Sequence, residues 1–431
     1  VVAEANLSGS SLAGLRALLE TKTVAETGRA LLDALSREKP LVSEVVDVLL
    51  QKAALAEASD VHIEPCRQGV RVRYRIDGVF QDLGFLPKEL HGQIVARIKV
   101  LADLISHKRE VSQEGRVTIQ AGQKLGEFRV SIVPTISGER VVLRMFNPAK
   151  GLFDLERLGY AEEFVRKLES LLFDLRGMVV LTGPSGSGKT TTLYACLRKI
   201  HQKNDQFASI VTIEDPVEYD FGSWAQIQVN RQVGLDFAKI LAAVLRQDPE
   251  VIMIGEIRDQ ETCDIALRAG LTGHLVLTTI HSGSASEVVT RILNMGIEPF
   301  VCASALSGVV AQRLVRMVCA SCAYDCTPEK SYVDYVERAL GRTDLRFRKG
   351  RGCQKCGYTG FRGRTPIAEL LVFDDQLRSL VLEQPSTATL RKFAIGRGMH
   401  SLLEDGLEKV ARGETTLDEV FRVASLREGG A

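Results

Sequence analysis

This sequence has no run of residues apolar enough, for long enough, to cross a bilayer. The nearest candidate, 301–318, is broken by Gln312, Arg313 and Arg316 and reads as a packed helix. No secretory signal opens the chain, and its start at Val1 rather than Met reads as that of a fragment. Charge of one sign is missing as well: 55 Lys and Arg residues face 54 Asp and Glu, a net of +1, so there is neither a basic field for nucleic acid nor an acidic tail. Aromatic residues are scarce at 6%, with a single Trp, which leaves little for stacking single-stranded bases. No unit of about 20–50 residues repeats, which excludes a solenoid.

What remains is globular in balance, with 45% hydrophobic and 25% charged residues, and the 431-residue length implies two to four domains. Nine cysteines without an export signal point to a reducing compartment, where their spacing matters more than their pairing.

Residues 1–40 form a poorly defined segment with one or two short helices ending at Pro40. From 41 to 58 apolar residues recur at helical spacing, with Ser43 as the expected N-cap. The alternating runs that follow include the hairpin signal Asp77-Gly78; a second helical stretch spans 88–106, and three further strands end near Phe146, two of them meeting around Gly122. The stretch 41–148 is therefore an α+β domain, and Pro148 and Gly151 mark a linker. From 149 to 431 strands and helices alternate, which implies a mostly parallel sheet covered by helices on both faces. Within it, 315–365 holds a cysteine-bearing module, and 366–431 reads as helices leading to a charged, Gly-rich tail.

One stretch organises this second domain. Residues 178–192, MVVLTGPSGSGKTTT, run from an apolar strand through a glycine-rich loop into a helix and fit G-x-x-x-x-G-K-[ST]. The loop comprises Gly183, Pro184, Ser185, Gly186, Ser187, Gly188, Lys189, Thr190 and Thr191. Small residues let backbone N–H groups approach a polyphosphate closely, and the helix start adds its positive dipole end. Lys189 is expected to bridge the outer phosphates and the Thr190 hydroxyl to hold Mg²⁺.

Carboxylates follow two other apolar strands: Glu214, Asp215 and Glu218 in TIEDPVEY, and Glu256 in VIMIGE. At strand ends near a phosphate loop they are candidates to position water or metal; the alternative is a solvated loop. His274 and His281 flank another strand, and spacing alone favours structural roles for them. Cys319-x-x-Cys322 and Cys353-x-x-Cys356 supply four thiolates, the donor set of a closed, structural Zn²⁺ site, with Gly352 and Gly357 easing the second turn. Cys326 is spare, and Cys66, Cys196, Cys263 and Cys302 read as core residues.

The ordered strings GPSGSGKTTTLY, TIEDPVEY, RQDPEVIMIGEIRDQET and LTGHLVLTTIHS, with SDVHIEP and YRIDG before them, resemble the secretion and pilus-assembly ATPase family of type II secretion systems and type IV pili. The likeness runs from about residue 41 to the C-terminus. It implies a RecA-like P-loop NTPase domain, a smaller N-terminal α+β (PAS-like) domain and a zinc-binding four-cysteine insertion. It also implies Glu218 as the base that orients the attacking water, Glu256 as the Walker B acid, Glu214 and Asp215 as the rest of an acidic box, and His274 and His281 as a histidine box. The family's hexamers bring arginines of the N-terminal domain to the nucleotide, and Arg73, Arg75 and Arg116 lie in the matching runs. The implied protein is a cytoplasmic Mg-dependent ATPase using ATP, Mg²⁺ and Zn²⁺. It forms a homo-hexamer that drives pseudopilus or pilus assembly, held at the inner membrane by platform proteins, with no span of its own and no direct nucleic acid contact. A conjugation or DNA-handling ATPase on the same loop is the alternative, and a nucleotide-sensing module is a third.

Overall fold

Along residues 60–76, side chains alternate between two faces of a strand pair, and that alternation builds the first sheet. The computed structural model describes residues 41–121, 124–146, 153–203 and 208–424. The expected helices of 1–40, the turn at Gly122, the linker at Pro148–Gly151 and the Gly-rich tail lie outside those residues. The chain forms two compact units, one of Val1–Pro148 with Arg351–Arg362 and one of Ala149–Gly350 with Gly363–Ala431.

The first unit holds strands β1 (Asp60–Cys66), β2 (Gly69–Ile76), β3 (Val79–Leu86), β4 (Gln113–Ala121), β5 (Lys124–Thr135) and β6 (Gly138–Phe146), in the order β3-β2-β1-β6-β5-β4. Each pair of neighbours is antiparallel. Asp77 and Gly78 both have positive φ, 49° and 82°, as the β2–β3 hairpin requires. Val61, Ile63, Val70, Val72 and Tyr74 are buried on one face with helices α1 (Val42–Leu55) and α2 (His91–Leu101), and the Tyr74 hydroxyl donates to the Leu49 carbonyl at 2.5 Å. Burying Leu49 and Leu50 stabilises by about 1.5–3 kcal/mol each. Ser43 is not the cap of α1. The helix starts one residue earlier, Leu41 takes the N-cap position without a side-chain bond, and Ser43 lies inside the first turn.

The second unit is built on a seven-stranded sheet, ordered β15-β12-β7-β11-β10-β8-β9. Its strands are β7 (Gly177–Thr182), β8 (Ile210–Glu214), β9 (Ala225–Gln228), β10 (Val251–Ile254), β11 (Leu275–Thr279), β12 (Leu306–Val318) and β15 (Phe361–Val372); β13 (Ala323–Asp325) and β14 (Arg348–Gly350) make a separate ribbon. From β12 across to β9 all pairs are parallel. Helices α3 (Glu162–Phe173), α4 (Lys189–Lys203), α5 (Phe237–Val244), α6 (Gln260–Leu271), α7 (Ala285–Asn294) and α8 (Pro299–Ala305) connect the strands. Asp236 and Asp259 cap α5 and α6 by accepting from the third backbone N–H of each. Helix α9 (Lys330–Leu340) follows β13, and α10 (Asp375–Leu382), α11 (Thr387–Gly396), α12 (Leu402–Ala411) and α13 (Leu417–Val423) close the chain.

Two expectations fail here. The stretch 301–318 is not one helix: α8 ends at Ala305, and β12 takes over as the neighbour of β7. Leu306, Val309, Val310 and Ala311 are all fully buried, so the run carries no period that separates a helix from a strand covered on both faces. Nor is the chain helical from 366; β15 continues to Val372, and it is an edge strand, the place in a sheet where proline is tolerated. Cys196, Cys263 and Cys302 are buried as expected, whereas Cys66 is half-exposed at the end of β1.

Helix α13 is pinned to β12 by one carboxylate. Glu419, 3% exposed, accepts from the guanidinium groups of Arg316 and Arg422. Burial pushes its pKa up, but these bonds outweigh burial and hold it at about 2. A folded-state pKa below the unfolded value near 4.5 gives stability that is complete above that pH and lost as pH falls toward 2. Glu419→Gln is expected to lower unfolding free energy by about 3 kcal/mol at pH 7 and to flatten the acid limb between pH 4.5 and 2. Denaturant titration across that range checks it; an unchanged midpoint at pH 7 contradicts it.

Candidate functional site

Parallel register lines up the strand ends that the motifs occupy. Leu181 of β7 pairs with Thr279, Ile254 with Thr278 and with Ile213, and Thr182 with Ala311. The residues that come next, Gly183, His281, Gly255-Glu256, Glu214-Asp215 and Gln312, therefore share one rim of the sheet, the place where open α/β sheets bind ligands.

The loop itself is built around backbone that only glycine adopts easily. Gly183, Gly186 and Gly188 have φ of 149°, 76° and 88°, and a Cβ on Gly183 would lie 2.4 Å from the Gln312 carbonyl oxygen. Lys189 opens α4 and donates to the Gly183 and Pro184 carbonyls at 2.8 and 3.1 Å. Burial lowers its pKa; the charges of Glu256 and Glu218 pull it back up and that of Arg313 lowers it further, so each of the three stands close enough to act on the Lys189 ammonium. Thr190 is half-buried in the first turn of α4, Thr191 and Ser185 are exposed, and Ser187 is buried.

Glu256 accepts from Arg258 at 2.6 Å, and His281 Nε2 stands 3.7 Å from its other oxygen. The strand end beneath is held by Gly255 N–H on the Ile213 carbonyl at 2.8 Å and by the Thr279 hydroxyl on the Gly255 carbonyl at 2.8 Å. Asp215 faces Arg231 at 3.7 Å. Glu214 points elsewhere: it is 3% exposed and takes hydrogen bonds from the Tyr194 hydroxyl, from Thr212 at 2.6 Å and from the Gln226 amide at 3.1 Å. His274 precedes β11 and so stands at the opposite rim, bonded to the Ala269 carbonyl at 3.0 Å and to Thr272 at 3.2 Å; within the chain it does not join His281.

Sequence reading missed the floor of the loop. Gln312, fully buried on β12, donates to the Ser187 carbonyl at 2.7 Å and accepts from the Tyr160 hydroxyl at 2.9 Å, which in turn meets Thr192 at 2.8 Å. Arg313 beside it donates to the Gly283 and Gln312 carbonyls. A polar pair inside an apolar run was the available signal, and it was concealed by assigning that run to a helix.

In the first unit the three expected arginines do not gather. Arg73 and Arg75 flank Phe80 on β2–β3, their guanidinium carbons 4.3 and 3.9 Å from the ring centre, and pair with Glu64 and Asp60. Arg116 is on edge strand β4, four strands from β2, or about 19 Å at the usual spacing, and faces Glu127 at 3.6 Å. Arg140 and Arg144 of β6 join the first group through the same two carboxylates, at 2.6 and 3.0 Å.

The sulfurs of Cys319, Cys322, Cys353 and Cys356 all lie within 4.8 Å of one another, and none is in a disulfide. The Cys322 and Cys356 N–H groups each donate to the carbonyl of the first Cys in their pair at 3.1 Å, so both are tight turns. Gly352 and Gly357 have φ of 88° and 59°, and a Cβ on Gly352 would sit 2.5 Å from the Tyr358 carbonyl oxygen. Cys326 is outside this cluster, its N–H on the Phe347 carbonyl.

The family model described as Type II/IV secretion system protein matches residues 35–422. The chain belongs to that family. Among curated relatives, Type II secretion system protein HxcR of Pseudomonas aeruginosa is 45% identical over 89% of the chain and 77% of its own length. Type II secretion system ATPase E of Vibrio cholerae is 40% identical over 90% and 76%, and Type IV pilus assembly ATPase PilB of Thermus thermophilus 40% over 90% and 43%. Two solved structures share the fold: the Legionella pneumophila ATPase DotB, with TM-score 0.65 and 21% identity over 89% of this chain and 95% of that one, and the pilus retraction motor PilT with ADP, with TM-score 0.60 and 23% identity over 90% and 98%. No helix among the described residues of this family member is long and apolar enough to cross a membrane.

Proposed function

We propose that this chain is one subunit of a hexameric motor that hydrolyses ATP to drive assembly of a pseudopilus or pilus in type II secretion or type IV pilus biogenesis. The observation that carries the reading is the meeting of Lys189 with Glu218 and Glu256 at the rim where the glycine loop opens into α4. The names of the relatives, type II secretion and pilus assembly ATPases, supply the machine.

Phosphoryl transfer needs positioning and charge neutralisation more than covalent chemistry. The loop backbone cradles the polyphosphate, and Lys189 leaves its carbonyl partners to neutralise the outer phosphates. Glu218 accepts the proton of the attacking water, and His281 on Glu256 orders the opposite side. Thr190 at the start of α4 and Glu256 after β10 are hard oxygen donors at the same rim of the sheet and fit Mg²⁺, which would supply charge neutralisation at the phosphates. Asp215 completes the acidic rim. Arg73 and Arg75, presented together, are the stronger candidates for a trans contribution from the first unit; Arg116 and His274 take part only through an arrangement beyond the single chain. The motor works on the cytoplasmic side, held to the inner membrane by platform proteins.

The four thiolates fit zinc. A tetrahedral site with Zn–S near 2.3 Å places its sulfurs about 3.8 Å apart, and the Cys353 and Cys356 sulfurs are 3.7 Å apart. With four protein ligands the ion is structural, leaving no position for water.

Phosphate release by the purified protein with Mg-ATP tests the reading, alongside Glu218→Gln. The variant is expected to keep nucleotide affinity within about threefold and to lose about 10²–10⁴-fold in kcat. Parental turnover in the variant removes Glu218 as the base.

A further inference from the structure

The loop that carries Glu218 runs from Asp215 to Trp224, between β8 and β9, and three polar side chains hold it to the phosphate-loop helix. Tyr194, one turn along α4 from Lys189, donates its hydroxyl to Glu214 at the tip of β8. The Gln226 amide nitrogen donates both to Glu214 at 3.1 Å and to the Tyr219 carbonyl at 2.9 Å, while its oxygen accepts the Phe221 N–H at 2.9 Å. Gln226 thus clips both ends of the segment that follows Glu218. Beneath the clip lies an aromatic plug. Phe221 stacks on Trp224 at 4.3 Å and meets Tyr194 and Tyr219 edge-on, with Phe153 packed against three of these rings.

We infer that Tyr194, Glu214 and Gln226 form a positioning relay, resting on the proposed ATPase reading, that sets Glu218 over the nucleotide and couples its loop to the state of the phosphate-loop helix. Glu214 then acts through Tyr194 and Gln226 and touches neither metal nor phosphate. Its burial and its three donors support this over a ligand role, because a carboxylate already holding three hydrogen bonds would have to break them to reach an ion. A base displaced by about 1 Å loses up to about 10²-fold in rate.

Tyr194→Phe keeps the ring and removes only the hydroxyl. In the full chain, kcat is expected to fall about tenfold while KM for Mg-ATP stays within about twofold. Trp224, the single Trp, reports the loop: its fluorescence is expected to change when the parental chain binds a non-hydrolysable ATP analogue, and to stay unchanged in Tyr194→Phe although calorimetry shows the analogue bound. Glu214→Gln, which keeps one acceptor oxygen, is expected to leave the magnesium half-saturation within about twofold, where loss of a metal ligand would raise it about tenfold or more. The relay is overturned by parental kcat in Tyr194→Phe, by a Trp224 signal that ignores the analogue in the parental chain, or by a tenfold magnesium shift in Glu214→Gln. Should Tyr194→Phe melt early, Gln226→Asn replaces it, since the shorter amide cannot reach both Glu214 and Tyr219; parental kcat there overturns the relay equally. A parental chain that releases no phosphate in any oligomeric state overturns the proposed function instead.

Discussion

Lys189→Ala is expected to reduce Mg-ATP turnover by about 10²–10³-fold or more while leaving the fold in place. The size follows from removing a preorganised positive charge aimed at transferring phosphate, a loss of about 3–4 kcal/mol in the transition state. Burial lowers the Lys189 pKa and Arg313 adds to that shift, while the charges of Glu256 and Glu218 oppose it. In the variant those acids lose a neutralising neighbour, and nucleotide affinity falls with kcat. The fold tolerates the change because the two carbonyls that lose a donor belong to the loop, and Pro184 is exposed to water. Circular dichroism and a melting temperature within a few degrees of parental, together with lost phosphate release, are the expected pair of results. Parental turnover in the variant would remove the phosphate-loop assignment.

Zinc removal is expected to have the second large effect. The purified protein should carry about one equivalent, and less than about half would count against a four-thiolate site. Binding of such an ion contributes on the order of 10 kcal/mol. Chelation, or Cys353→Ser, should therefore free the segment between Cys319 and Cys356 and open it to proteolysis. Cys326→Ser is the control: outside the cluster, it should keep the metal and the parental cleavage pattern. Equal resistance in Cys353→Ser and the parental chain would show that the turns stand without an ion.

Where a motif carried its own local geometry, the sequence was a reliable guide. Strand, glycine loop and helix followed in the expected order from Gly177 to Lys203, Asp77-Gly78 made its hairpin, and the four cysteines met. The acids after β8 and β10 reached the rim because parallel register leaves no other place for residues that follow those strands. What was illegible depended on partners distant in sequence. Val309 and Val310 are buried on both faces by a sheet and helices that a local window does not contain, so β12 passed for a helix, and Gln312 and Arg313 went with it. Glu214 looked equivalent to Asp215 beside it, yet strand alternation turns one carboxylate into the interior and the other to the surface. His274 and His281 share a motif but not an end of β11, because five strand residues separate them.

One extended segment serves three distant places. Gln312 braces the glycine loop and Arg316 grips the last described helix through Glu419, both on β12, and Cys319, the next residue after the strand, begins the first thiolate turn. At about 3.3 Å per residue, the seven steps from Gln312 to Cys319 span some 23 Å with no slack in the backbone. The floor beneath the phosphates and the first thiolate turn are thus two fixtures on one length of backbone, so neither is anchored independently of the other.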